Sequence, residues 1–168
     1  MQSDSVFIPR ERISVLVGKK GNTKKRIEMN AKCKIYVSSS GNITIKSNSP
    51  EVLMNVKEVV QAIGTGFSPD GAMLLLKEDF VLEIVDITNY SKSKNRLETM
   101  RARIIGGAGK IRKNIERRTE TVMSIYGKTI SIIGTSDNAF LARRAVELLL
   151  EGSQHGSVFR WLASQQSL

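Results

Sequence analysis

Short runs of apolar residues, several of them alternating with polar ones, predict strands along the chain. Ile35 and Val37 alternate with polar neighbours, a turn follows at residues 39–42, and Ile43 and Ile45 then continue the alternation. This two-residue period is typical of a strand with one buried face. Six segments are predicted as strands on such grounds: 6–8, 34–38, 43–45, 80–87, 122–125 and 129–133.

Other segments have the helical spacing of apolar residues. Ile13, Leu16 and Val17 share one face of a helix over residues 11–17. Ser49 followed by Pro50 is a typical helix start, and Ser136 or Asp137 is expected to cap a later helix. The predicted helices are 11–17, 23–29, 51–63, 68–76, 97–105, 111–118, 138–150 and 157–163, the last burying Val158, Trp161 and Leu162.

These elements form an internal repeat with an offset of 88 residues. The offset places Gly18 on Gly106 and Glu28 on Glu116, and it becomes 87 after a shorter turn, where Ile43 falls on Ile130. Each copy has the order strand, helix, Gly-x-x-Gly, helix, strand, strand, helix. The sequence predicts an α+β fold with domains at 1–66 and 79–152, a connector helix at 67–78 and a C-terminal helix and tail at 153–168.

Charge is concentrated in the two copies. The chain of 168 residues has a net charge of +10; residues 1–66 hold 11 basic and 5 acidic residues, as do residues 100–168. A chain this basic is expected to bind a polyanion. A single Cys33 and a single His155 leave no internal disulfide or Cys/His zinc site, and no apolar run approaches the ~20 residues of a membrane helix.

Catalytic motifs are missing from the sequence. It contains no Gly-x-Ser-x-Gly or His-Glu-x-x-His motif, and Val122 stands where a phosphate-binding loop before Gly127-Lys128-Thr129 needs its first glycine. We therefore expect no catalytic residue, cofactor or metal. We also expect the protein to be a monomer and to be located in the cytoplasm. We also expect Cys33 to be a packed thiol, His155 to have a capping or surface role, and Arg143 and Arg144 to lie on a solvated face.

The Gly-x-x-Gly sequences carry the candidate chemistry. Glycine allows positive φ and brings the backbone close to a ligand, and the helix that follows presents free N–H groups. Clustered cations beside such a turn suit consecutive phosphates. The candidate residues are Gly18, Lys19, Lys20, Gly21, Lys24 and Lys25 in the first copy, and Gly106, Gly107, Ala108, Gly109, Lys110, Arg112 and Lys113 in the second.

Each copy resembles a KH domain. The resemblance rests on Leu16-Val17-Gly18-Lys19-Lys20-Gly21 with Ile27, and on Ile104-Ile105-Gly106-Gly107-Ala108-Gly109 with Ile115. It implies type I modules, each a three-stranded sheet packed on three helices, that clamp about four nucleotides of single-stranded RNA or DNA. It also implies that the backbone near Val122 and Ser124, and near Lys34 and Tyr36, faces bases. For Arg103, phosphate contact and a structural role both remain open.

The tandem is similar to a narrower family, the Dim-two/Pno-one proteins of small-ribosomal-subunit assembly. The similarity rests on residues 103–110, on Ile130-Ser131-Ile132-Ile133-Gly134 and on the ending at 150–158; the intact first motif suits an archaeal member. It implies binding near the 3′ end of small-subunit rRNA. It further implies contact with a translation initiation factor subunit, a PIN-domain nuclease or an rRNA dimethylase.

Two other functions remain open from the sequence. One is a protein-interaction scaffold in which one module has lost RNA binding, and the other is an RNA-binding accessory subunit of an RNA degradation complex. The second copy fits the family pattern better and is expected to be the more specific site. The first copy, with Lys19 and Lys20 in its turn, is expected to have the stronger electrostatic attraction.

Overall fold

The computed structural model describes residues 1–166, so the last two residues of the predicted tail lie outside the described part. The chain divides into two compact units, Met1–Phe80 and Val81–Leu168. Each unit contains one antiparallel three-stranded sheet with helices, as the repeat predicts. Within residues 1–166, no helix is long and apolar enough to cross a membrane.

The sheet of the first unit has the order β1 (Gln2–Phe7), β3 (Asn42–Ser47) and β2 (Lys34–Val37), so that β2 is an edge strand. Gln2 to Phe7 of β1 pair with the full length of β3, from Ser47 to Asn42. This pairing explains why β1 begins earlier than predicted. The elements are β1 Gln2–Phe7, α1 Arg10–Val17, a 3-10 turn Lys19–Gly21, α2 Asn22–Ala31, β2 Lys34–Val37, β3 Asn42–Ser47, α3 Pro50–Gly64 and α4 Pro69–Ala72.

The core of the first unit is built from the residues that the periodicity singles out. Ile27 of α2 and Ile43 and Ile45 of β3 are fully buried. The start of α3 also follows the prediction, because the Ser49 hydroxyl accepts a hydrogen bond from the Val52 N–H at 3.3 Å. The predicted connector helix is shorter than expected: α4 has four residues, and a 3-10 turn, Met73–Leu76, follows it.

The second unit repeats this arrangement, with its sheet in the order β4 (Phe80–Asp86), β6 (Thr129–Thr135) and β5 (Val122–Tyr126), so that β5 is at the edge. Met100, Ile104 and Ile115 of its helices form a core with Met123 of β5 and the buried residues of β6. Its elements are β4 Phe80–Asp86, a 3-10 turn Ile87–Asn89, α5 Lys94–Ile105, a 3-10 turn Gly107–Gly109, α6 Lys110–Thr119, β5 Val122–Tyr126, β6 Thr129–Thr135, α7 Ser136–Leu150 and α8 His155–Gln166.

Three details of the second unit correct the sequence prediction. The N-cap of α7 is Thr135 and makes no side-chain capping hydrogen bond, so the predicted caps Ser136 and Asp137 are wrong. The helix starts earlier because β6 continues directly into it. Helix α8 is longer than predicted at both ends. Val158 and Leu162 are buried as expected, whereas Trp161 is only half-buried.

Candidate nucleic-acid interface

The first glycine turn, residues 18–21, joins α1 to α2 through left-handed backbone. Gly18, Lys20 and Gly21 have φ of +76°, +54° and +75°. A Cβ on Gly18 would lie 2.2 Å from Oγ1 of Thr23 in α2. The first glycine is therefore required by the close approach of the two helices. Gly21 has nothing within 4 Å of its missing Cβ, so this side of the turn is open.

The second glycine turn, residues 106–109, has nearly the same conformation. Gly106, Ala108 and Gly109 have φ of +75°, +55° and +72°. A Cβ on Gly106 would lie 2.4 Å from Cγ1 of Ile111. Gly107 and Ala108 are exposed, and Gly107 has open space beside it. Both turns thus present accessible backbone at the start of a helix, the arrangement that favours binding of an anion.

The cations predicted around the turns fall into two groups. One group is exposed: Lys19, Lys20, Lys25, Lys110 and Lys113, of which Lys113 makes a long contact of 3.5 Å to the Ala108 carbonyl. The other group consists of Lys24 and Arg112, which form ion pairs of 3.2 Å and 2.9 Å with the carboxylates four residues later. The exposed group is available to phosphates, whereas the second group is held against the protein.

Those carboxylates belong to Glu28 and Glu116, which were not among the predicted site residues. Glu28 accepts a hydrogen bond from the Ile35 N–H at 2.8 Å, and Glu116 accepts one from the Met123 N–H at 2.9 Å. Lys24 also donates to the Ile35 carbonyl at 3.3 Å. In both units, therefore, an acid of the second helix binds the outer side of the edge strand. The sequence does contain a signal for these two acids, because the repeat offset of 88 residues aligns Glu28 with Glu116.

The resemblance implies that bases contact the edge strands β2 and β5. The structure also shows which residues of these strands direct their N–H and C=O groups away from the sheet. Main-chain groups of successive strand residues point to opposite sides. Because the N–H groups of Ile35 and Met123 point outward to glutamates, the main-chain groups of Lys34, Tyr36, Val122 and Ser124 point toward the central strand of their sheet. The outward-facing backbone thus belongs to the residues between those predicted.

The Arg103 side chain binds carbonyl groups at and after the end of α7. Its guanidinium donates hydrogen bonds to the carbonyls of Leu149, at 2.9 Å, and Ser153, at 2.7 Å. Leu149 lies in the last turn of α7, where helix carbonyls lack intrahelical partners, and Ser153 lies in the loop that follows the helix. His155 Nε2 in turn contacts the Arg103 carbonyl at 3.1 Å, which agrees with the capping role expected for this histidine. The geometry favours the structural role for Arg103.

The other side chains considered from sequence have ordinary environments. Cys33 is buried, and burial raises the pKa of its thiol to about 11. This agrees with a packed rather than a reactive cysteine. Arg143 pairs with Glu83 at 2.6 Å and Arg144 with Glu151 at 3.5 Å. Both arginines lie on a partly exposed face of α7 with acidic partners, which leaves less of their charge for RNA.

Each unit thus combines a Gly-x-x-Gly turn between two helices, an antiparallel sheet with the second strand at the edge, and a long closing helix. These features define a tandem type I KH protein. Family models agree: residues 81–167 match one for the second KH domain of PNO1, described as eukaryotic type KH-domain (KH-domain type I), and residues 3–62 match one described as KH domain.

Relatives identify the particular family. A KH domain-containing protein of Methanocaldococcus jannaschii is 37% identical over 95% of this chain and 72% of its own length. The pre-rRNA-processing protein PNO1 of Chaetomium thermophilum is 31% identical over 81% of this chain. A crystal structure of an a/eIF2alpha–aDim2p–rRNA complex from Pyrococcus horikoshii is 41% identical over 99% of this chain and 94% of that chain, with a TM-score of 0.92. The chain belongs to the Dim2/Pno1 family of tandem KH proteins.

This chain spans about half the length of the Chaetomium protein that it matches. The match covers 52% of the length of the Chaetomium protein. The Methanocaldococcus relative and the Pyrococcus structure are instead matched over most of their own lengths.

Proposed function

We propose that this chain is a non-enzymatic RNA-binding protein of pre-rRNA processing, which binds single-stranded RNA near the 3′ end of small-subunit rRNA. The observation that carries the proposal is the pair of glycine turns with matching left-handed backbone, an open outer side and exposed lysines. KH domains clamp about four nucleotides with this turn. The names of two relatives, a pre-rRNA-processing protein and the aDim2p of an rRNA complex, support the choice of RNA.

The two turns are proposed to divide the work. The first has Lys19 and Lys20 at its exposed middle positions, so it supplies electrostatic attraction that depends little on sequence. The second has the small Gly107 and Ala108 there, which allow closer approach of a nucleotide backbone. We propose Lys110 and Lys113 as its phosphate contacts. The outer edge of β5, where Glu116 accepts from the Met123 N–H between Val122 and Ser124, is the proposed base-contacting side.

A protein partner is part of the proposal. The aDim2p relative occurs in a complex with a/eIF2alpha and rRNA, so we propose a translation initiation factor subunit as a partner of this chain. The resemblance adds a PIN-domain nuclease and an rRNA dimethylase as further candidates. Each would act on or near the RNA segment that this protein holds.

The test is binding of a single-stranded RNA of about ten nucleotides that matches a small-subunit 3′ end, at about 50 and 200 mM salt. Two double variants are compared with wild type: Lys19→Asp with Lys20→Asp, and Gly107→Asp with Ala108→Asp. Asp tolerates the left-handed backbone of Lys20 and Ala108, so the turns should keep their shape. A control with the same charge change as the first is Lys92→Asp with Lys94→Asp, at exposed positions before and at the start of α5.

The first-turn variant should flatten the salt dependence, because each lost phosphate contact changes the slope of log K against log salt by about 0.7. The second-turn variant should lose the preference for the matching sequence over a scrambled one. The control should resemble wild type. If both turn variants bind RNA like wild type, the turns are structural and the protein is a scaffold. A protein without preference for rRNA 3′ ends would instead fit an accessory subunit of RNA degradation.

A further inference from the structure

A groove of about 760 Å³ opens in the first unit near the carboxyl end of α2, at the opposite end of that helix from the glycine turn. Met29, Cys33 and Val52 contribute its apolar lining. Four lysines surround it: Lys25, Lys32, Lys34 and Lys46. We call this feature the lysine groove. All four lysines are exposed, so their charges face solvent.

At the positions of the second unit that correspond by strand register and helix end, the described residues do not repeat this set of cations. Lys32 ends α2 with φ of +59°, and Glu120 ends α6 with φ of +53°. Lys34 is the first residue of β2 and pairs with Lys46, and Val122 is the first residue of β5 and pairs with Ile133. Three lysines of the first unit thus correspond to Glu120, Val122 and Ile133. The KH fold does not require the lysines.

The arrangement has an energetic cost in the free protein. Lys34 and Lys46 lie directly opposite each other on neighbouring strands, and like charges in that position are destabilising. Glu28 is the one acid among the lining residues, and its carboxylate already binds Lys24 and the Ile35 N–H. The Lys46 ammonium lies 5.2 Å from the centroid of the Tyr36 ring, a cation–π contact that attracts the cation but brings no negative charge to the groove. An anionic ligand would relieve this repulsion.

The groove is continuous with the first glycine turn along one helix. Helix α2 begins at that turn and ends at the groove, ten residues or about 15 Å later. Lys25, in the first part of the helix, lines the groove and so connects its lysines with Lys19 and Lys20 of the turn. Cations spaced along one path suit the regularly spaced phosphates of a nucleic-acid strand better than an isolated acidic side chain.

We propose that single-stranded RNA held by the first glycine turn continues along α2 into the lysine groove, where Lys25, Lys32, Lys34 and Lys46 bind its phosphates. The apolar surface of Met29 and Val52 accommodates a base of this extension. The proposal rests on RNA binding at the first turn and adds a second subsite to it. One KH turn clamps about four nucleotides. With the lysine groove, the first unit would bind a longer segment of RNA, whereas the second unit would not.

The experiment uses the full chain with Gly107→Asp and Ala108→Asp, so that the second turn is blocked. In that background a groove variant combines Lys32→Asn, Lys34→Gln and Lys46→Gln; Asn suits the left-handed backbone of Lys32. A matched control removes the same number of charges with Lys77→Gln, Lys92→Gln and Lys94→Gln, all exposed. Circular dichroism and thermal unfolding confirm that each variant is folded. Affinity is measured for RNAs of about 4 and about 12 nucleotides.

The groove variant should bind the short RNA like its background but lose affinity for the long RNA by about tenfold or more, with the salt slope reduced by about 2. Lys34→Arg with Lys46→Arg, which keeps the charge, should retain the long-RNA affinity. Unchanged binding of the long RNA by the groove variant would overturn the proposal; if that variant has instead lost binding of a poly-glutamate peptide, the groove is a site for an acidic protein. Equal losses on both RNAs would also overturn it.

Failure of the proposed function has a different signature. Adding Lys19→Asp and Lys20→Asp to the same background should abolish binding of both RNAs. If that variant still binds both, the first turn is not an RNA clamp, whatever the groove variant does. The groove proposal is tested by the difference in affinity between the long and the short RNA, whereas binding at the first turn is tested by the affinity for both RNAs. Failure of one proposal can therefore be distinguished from failure of the other.

Discussion

The first glycine and the middle positions of each turn are chosen by different physical demands. A Cβ on Gly106 would lie 2.4 Å from a side-chain atom and 2.9 Å from the backbone nitrogen of Ile111. Gly107 faces open space instead. The same contrast holds between Gly18 and the exposed Lys19 and Lys20. Close packing therefore requires glycine at the first position of the turn. The exposed middle positions accept other residues, so ligand binding rather than stability can determine which residues stand there.

This contrast predicts the outcome of two alanine substitutions. Gly106→Ala must move the start of α6 and hold alanine at positive φ, so it should lower the free energy of unfolding by about 1–3 kcal/mol. Gly107→Ala should change it by less than about 0.5 kcal/mol. Urea unfolding of the full chain measures both. Equal losses in the two variants would contradict the role assigned to the first glycine.

Cys33 gives the chain a specific alkaline instability. Burial raises the pKa of its thiol from 9.0 to about 11, so the unfolded chain ionises this group at lower pH than the folded one. Its contribution to stability is complete below pH 9 and is lost as pH rises through about 11. Wild type should therefore lose stability relative to Cys33→Ala across that range. Urea unfolding of both proteins at pH 8 to 11 tests this, and a constant difference would contradict it.

At the scale of elements, helix ends are stabilised by side chains from other helices. Arg12 of α1 donates to the carbonyl of Ile63, in the last turn of α3, at 2.7 Å, and to that of Phe67, in the segment after the helix, at 2.8 Å. Arg103 of α5 does the same at the end of α7. In each unit an arginine from the helix before the glycine turn thus connects it to the closing helix. The two arginines are not equivalent under the offset of 88, so each unit reaches this arrangement from a different position.

Arg103→Gln should accordingly weaken the fold and spare RNA contact. Losing two charge-assisted hydrogen bonds to carbonyls should cost about 2–3 kcal/mol in the free energy of unfolding. The salt slope of RNA binding should stay as in wild type. Arg96→Gln, at an exposed position on the same helix, is the control and should change neither quantity. A reduced salt slope in Arg103→Gln with normal stability would assign this arginine to phosphate binding instead.

At the scale of the whole molecule, the chain presents two glycine turns of the same geometry. If both clamp RNA, a short RNA of about four nucleotides occupies each turn separately. Wild type should then bind two such RNAs per chain, and the Lys19→Asp, Lys20→Asp variant or the Gly107→Asp, Ala108→Asp variant should bind one. Calorimetric titration measures this stoichiometry. A value of one for wild type would mean that only one unit is an RNA site and would favour a scaffold role for the other.

Most of the fold was predictable because it follows from local patterns that occur twice. The positions of the strands follow from alternation at Ile43 and Ile45, and the start of α3 from Ser49 and Pro50, each within a few residues of sequence. The start of α7 was not predictable in this way, because strand β6 runs directly into the helix without a side-chain cap. The extent of β1 likewise depends on its pairing with β3, from Phe7 with Asn42 to Gln2 with Ser47, which are far apart along the chain.

The sequence by itself determined the repeat, the order of the elements and the two glycine turns with their cations, since all of these are encoded by spacing along the chain. Tertiary structure decided which cations are available. It directed Lys24 and Arg112 to neighbouring glutamates, placed Arg103 at the carbonyls of α7, and brought Lys34 opposite Lys46. These pairings depend on helix faces, strand register and long-range packing, which bring together residues that are distant in sequence or indistinguishable by charge alone.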